Sequence, residues 1–118
     1  MSCKNKILGQ SGENMAALFF EQKGYVVEER NWRCKAGEID LIIRKASEWR
    51  FVEVKTRSSD KFGLPEEALT AVKRAHFRQA IEWYVAKNRG KINDFHADVV
   101  AILLDSQTFT VRWLPDSL

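Results

Sequence analysis

Two alternating segments, Glu38–Ile43 and Trp49–Arg57, lie either side of a short polar link and constrain this chain more than any other feature. Side chains alternate faces along a strand. Ile39, Leu41 and Ile43 therefore share one face, leaving Glu38, Asp40 and Ile42 on the other. In the second segment Val52 and Val54 share a face, while the opposite face runs Trp49, Phe51, Glu53, Lys55, Arg57. That face begins apolar and turns ionic. The link Lys45-Ala46-Ser47-Glu48 makes the pair a hairpin. A turn centred between Ala46 and Ser47 sets Asp40 opposite Glu53 and Glu38 opposite Lys55, with all four on one face. Trp49 and Phe51 need cover, so a helix is expected over that face.

The rest of the chain supplies the covering layers. Glu13–Lys23 reads as a helix, with Ser11 as its N-cap and Gly24 as its stop. Its apolar stripe holds Ala16, Ala17 and Phe20, and Glu13 falls on the same stripe by helical spacing. Tyr25–Arg33 reads as a strand with a basic end, followed by a turn at Lys35-Ala36-Gly37. Pro65 is expected to open a long helix. Leu69, Val72, His76, Phe77, Ala80, Ile81 and Tyr84 recur on its apolar face, and Gly90 closes the pattern. His76 is read there as a core histidine. Asp98–Leu104 and Thr108–Leu114 read as a closing hairpin. The order is αβββαββ, a mixed α/β sheet flanked by helices.

At 118 residues, 45% hydrophobic, the chain suits one domain with a real core, ordered over about residues 9–114. A net charge of +3 is compatible with a polyanionic partner without requiring one. Cys3 and Cys34 match no zinc-ligand spacing and read as free thiols. No segment approaches the roughly 18 consecutive apolar residues of a membrane span, so the chain is read as cytoplasmic with no membrane partner. Two distant histidines, His76 and His96, give zinc-hydrolase schemes no ligand set. Ser58 and Ser59 lack the histidine–acid partners of a hydrolase triad.

The ionic face of the hairpin carries the chemistry. Like charges opposed on a ladder destabilise it, and burying two carboxylates together is worse. A divalent cation removes that penalty, and paired carboxylates are the hard oxygen ligands that Mg²⁺ or Mn²⁺ takes. Lys55, two residues beyond Glu53, can orient an attacking water and neutralise charge on phosphate. Arg30, Arg33, Lys35, Arg57, Lys61, Lys73, Arg74 and Arg78 are candidates for a phosphate-contacting rim. Trp32 is read as packing against the sheet, and Asp98, at a strand start, as structural.

Gly37-Glu38-Ile39-Asp40-Leu41-Ile42, followed by Phe51-Val52-Glu53-Val54-Lys55-Thr56-Arg57, looks like the signature of the uncharacterised bacterial YraN-like family. The resemblance extends to Gly12-Glu13, Arg30-Asn31-Trp32-Arg33 and Asp98-Val99-Val100, covering about Gly9 to Trp113. That family resembles archaeal Holliday-junction resolvases of the PD-(D/E)xK nuclease superfamily. The resemblance implies a restriction-endonuclease-like fold and a Mg²⁺-dependent endonuclease acting on nucleic acid, DNA above all, with branched DNA as a substrate class. Asp40, Glu53 and Glu13 match its metal-binding acids and Lys55 its catalytic lysine. A homodimer follows by the same analogy. The superfamily's usual proline before the aspartate is absent, and Lys73 stands where some relatives place glutamine. A non-catalytic nucleic-acid-binding module and a protein-interaction subunit with a vestigial acidic cluster stay open as alternatives.

Overall fold

The computed structural model describes residues 3–58, 70–105 and 107–118, with side chains from residue 11 onward. The elements run α1 (Cys3–Gln22), β1 (Val26–Cys34), β2 (Gly37–Lys45), β3 (Glu48–Arg57), α2 (Ala71–Lys87), β4 (Phe95–Leu104) and β5 (Phe109–Leu114). All five strands form one sheet in the order β1-β2-β3-β4-β5. β3 and β4 run parallel and every other pair antiparallel, so α2 lies in the crossover between the two parallel strands. This is the mixed α/β sandwich expected from the pattern, and it is consistent with a restriction-endonuclease-like fold. No helix among the described residues is long and apolar enough to cross a membrane.

Each face of the sheet carries one helix and one core. On one side Ala16, Ala17 and Phe20 of α1 pack on Leu41, Ile43, Val52, Val100 and Ile102. On the other, Phe77, Ala80, Ile81 and Tyr84 of α2 pack on Ile42, Trp49 and Phe51. Trp32 sits edge-on to Tyr84 at 5.1 Å, so it does pack against the sheet's helix layer. Ile39 departs from the expected alternation, since it packs in the α2 core rather than beside Leu41 and Ile43.

Several local expectations need correction. α1 begins at Cys3, so Ser11 lies inside the helix and does not cap it. Gly12 also lies within the helix, where glycine costs about 1 kcal/mol relative to alanine. Packing demands it: a Cβ there would fall 2.0 Å from Thr56 Oγ1. The stop at Gly24 holds (φ +94°). Gly24 N–H donates to the Glu21 carbonyl and Tyr25 N–H to that of Phe20, the two bonds of a Schellman cap. α2 begins at Ala71 under a Thr70 cap whose hydroxyl accepts from Lys73 N–H. Pro65, Leu69 and Lys61 lie outside the described residues. Val72 is 63% exposed and His76 is exposed, because the apolar face of α2 starts only at Phe77. The helix ends at Lys87 with Asn88 as its cap, and Gly90 (φ +86°) serves the turn beyond.

Candidate active site

The hairpin register is the expected one. Leu41 pairs with Val52, Ile42 with Phe51 and Lys45 with Glu48 around the Ala46–Ser47 turn. The ladder stops at Leu41 and Val52, however, and one residue further the strands part. Asp40 turns its carboxylate into the opening, where Oδ2 accepts from Val54 N–H at 2.8 Å. On the β1 side the pairing passes from Arg30–Leu41 to Trp32–Ile39, leaving Asn31 between them with φ 53°. Asparagine tolerates that left-handed conformation better than most residues. The kink at Asn31 and Asp40 explains the reversed faces: Arg30 and Leu41 lie on the α1 side, Trp32 and Ile39 on the α2 side.

A cavity of about 220 Å³ opens at this gap on the α2 side, lined by Gly37, Glu38, Asp40, Glu53, Lys55, Lys73, His76 and Phe77. Three of the eight are carboxylates. Burial, then the neighbouring charge of Glu53, pushes the Asp40 carboxyl up to about 8, against the opposing pull of the Val54 N–H. Burial also raises Glu53, although Lys55 Nζ at 3.4 Å and a hydrogen bond with Asp40 favour its ionised form. The carboxyls of Asp40 and Glu53 line the same opening. They behave as a pair that resists double ionisation.

Glu13 approaches the same acids from the other face. It lines a separate hollow with Asn14, Arg30 and Asn31, and not the cavity of Asp40 and Glu53. Its pKa is raised by burial and then by the charge of Glu38, and its own charge reaches Asp40. Glu13 Oε1 is buried without a hydrogen-bond partner. The close fit of Gly12 on Thr56 sets this helix against the end of β3 and fixes where Glu13 emerges.

The residue set suits a hard divalent cation. Starved carboxylates and an orphaned buried oxygen are the donor chemistry such an ion completes. Among the described residues, no three of His, Cys, Asp and Glu converge to hold a metal by themselves. Asp40 and Glu53 could supply two ligands, leaving the rest to water and phosphate, as Mg²⁺ commonly binds.

The basic residues divide. Lys73 lines the cavity, whereas Arg33 pairs with Glu38 at 3.3 Å on the outside of β1. Arg30 donates to Asn14 Oδ1 on the α1 face, away from Lys73. Lys35, Arg57, Arg74 and Arg78 are exposed, and Arg78 lines a different hollow with Phe95 and Leu118. Asp98 is wholly buried and ion-paired to Arg50, with Trp113 of the α1-side core as a further partner, although Asp98 pairs with Val52, the neighbour of Glu53. Cys34 is a free thiol, and His96 Nδ1 meets Asp116 at 2.6 Å. The sequence reading missed His76 as a cavity residue and Asn31 as the kink. His76 stands three residues after Lys73 on one helical face, a signal masked by its proximity to the apolar positions.

The profile of a family described as "Uncharacterised protein family UPF0102" matches residues 12–102, which include every carboxylate of the gap. Among similar proteins is a "UPF0102 protein" of Caldicellulosiruptor saccharolyticus, 42% identical over 98 residues and covering 83% of each chain. One from Geobacter metallireducens is 37% identical over 117 residues, 99% of this chain and 96% of its own. Another, from Nocardia farcinica, is 43% identical over 97 residues, 82% of this chain and 76% of its own.

Proposed function

The chain belongs to the UPF0102 family, and from its acidic gap we propose that it is an endonuclease hydrolysing nucleic-acid phosphodiesters with a metal-activated water. The observation that carries this reading is the half-buried Asp40 set against the half-buried Glu53 in one cavity, with only the Val54 N–H and Lys55 to offset their charge. Carboxyls whose pKa values are raised together in a cleft are concentrated at functional sites.

Asp40 and Glu53 would hold Mg²⁺ or Mn²⁺. Bound there, the cation supplies a water of lowered pKa and neutralises charge on the phosphate. Lys55 positions that water from the cavity wall and balances the charge that builds on phosphorus-bound oxygen. Glu13 adds negative charge behind Asp40, strengthening its hold on a cation. Arg30, Arg33, Lys35, Arg57 and Lys73 are exposed cations that can contact backbone phosphates without reading sequence. DNA with branches is the substrate class that the likeness to resolvases favours, and a symmetric pair of chains suits a symmetric junction.

A second reading is a binding module without turnover, favoured by the failure of three ligands to converge among the described residues. Cleavage of branched, flap, single-stranded and duplex DNA in Mg²⁺ or Mn²⁺, by wild type beside Asp40→Asn and Lys55→Ala, separates them. Metal-dependent cleavage lost in both variants with binding retained supports the endonuclease. Salt-dependent binding with no cleavage on any substrate supports the module.

A further inference from the structure

The cavity is small and opens to solvent. At about 220 Å³ it has room for a cation and a phosphate group but not for the flanking nucleosides. The neighbouring nucleotides of any substrate must therefore run over its rim. The rim also faces an electrostatic problem, because the floor is three carboxylates and the ligand is a polyanion.

Few lining groups are free to solve it. Lys55 is engaged with Glu53. Arg33, just outside, is engaged with Glu38. Lys73 and His76 line the same cavity from α2, are exposed, and have no hydrogen-bonding or ionic side-chain partner among the described residues. Their spacing of three residues puts both on one helical face. The α2 backbone at His76 lies close to β2: a Cβ at Gly37 would fall 3.1 Å from the His76 carbonyl oxygen and 3.4 Å from its Cβ. The first turns of α2 thus press on the start of β2, with Phe77 buried behind. That contact fixes the stretch of helix from which the exposed His76 side chain lines the cavity.

We propose that Lys73 and His76 form a seat for the phosphate next to the scissile one, so that the site takes polynucleotide chains rather than isolated diesters. The proposal rests on the hydrolase reading for its catalytic consequence and on the cavity geometry alone for its binding consequence. Lys73 contributes a point charge, and His76 a ring N–H that donates to a phosphate oxygen.

The test compares wild type with Lys73→Ala, His76→Ala and the double variant on two substrates. One is a DNA oligonucleotide and the other bis(4-nitrophenyl) phosphate, which has no flanking phosphate. Binding of the oligonucleotide with Ca²⁺ in place of Mg²⁺ is followed against salt concentration. In the double variant, kcat/KM should fall about ten-fold further on the oligonucleotide than on the small diester, mainly through KM, and the salt slope of binding should shrink by about one charge or more. His76→Gln, which keeps a donor, should recover part of the loss. Equal losses on both substrates, or an unchanged salt slope, would overturn the seat. If wild type cleaves neither substrate with any metal, the hydrolase reading fails while the salt slope still decides the seat.

Discussion

Two aspartates of this sheet, one buried and one half-buried, have opposite surroundings. Asp98 on β4 is wholly buried and saturated. It accepts from Arg50 Nη1 at 3.0 and 3.2 Å, Trp113 Nε1 at 2.9 Å and the Asp116 N–H at 2.8 Å. Arg50 continues to Glu48 at 2.7 Å, and Tyr25 donates to the same carboxylate. Asp40 on β2 accepts one backbone N–H, faces Glu53, and feels the charges of Glu13 and Glu38. One aspartate is surrounded by donors and ties the last strand and the chain end to the sheet. The other is surrounded by its own kind. The saturated aspartate serves architecture, and the starved one is where the proposed cation would supply the missing partner.

The contrast breaks most sharply in activity. Asp40→Asn should lower metal-dependent cleavage by about a thousand-fold or more, whereas Asp98→Asn should retain turnover in the fraction that folds. Assaying both at a temperature below either melting transition checks this, and comparable losses would erase the distinction.

Stability should reverse the ranking. Asp98→Ala leaves Arg50, its side chain 11% exposed, with Glu48 as its remaining acidic partner, and orphans the Trp113 and Asp116 donors. A cost of about 3–5 kcal/mol is expected by denaturant titration.

Asp40→Asn should stabilise the metal-free protein at pH 8, because Asn keeps an acceptor for the Val54 N–H and removes the charge. The sign follows from the raised carboxyl. Folded Asp40 holds its proton up to about 8 while the unfolded chain releases it near 3.8. The associated stability is complete below the unfolded value and is lost as pH rises through the folded one. Thermal melts in EDTA should show the advantage of Asn shrinking from pH 8 toward pH 4. Mg²⁺ should favour wild type over the variant at pH 8. No metal effect on that difference would argue that the gap does not bind the ion.

The smallest effect concerns how α1 delivers Glu13. Gly12→Ala drives a methyl onto Thr56 and should cost about 1–3 kcal/mol. Thr56→Ala, which removes the atom 2.0 Å away but leaves Cβ at 3.1 Å, should recover part of that loss. A double-mutant cycle with no coupling would show that the helix adjusts elsewhere.

How much of this was legible beforehand follows from the range of each interaction. The alternation of Glu38–Ile43 and Trp49–Arg57 and the turn between Ala46 and Ser47 set the strands and their register, because side-chain parity and turn geometry are local. Glycine at position 24 marked the helix stop for the same reason. The opposition of Asp40 to Glu53 was likewise readable, but the parting of the strands there was not. It needs Asn31 on a third strand and the Val54 N–H turned toward a side chain, contacts that no single segment encodes. His76 looked apolar-facing by spacing alone, and only the contact of α2 with Gly37 shows where that helix begins to bury its face. Sequence by itself determined the order of the elements, the hairpin and the acids and lysine proposed as the site. Tertiary structure decided which aspartate is satisfied and which is starved, because hydrogen-bond saturation and burial depend on groups brought together from distant parts of the chain.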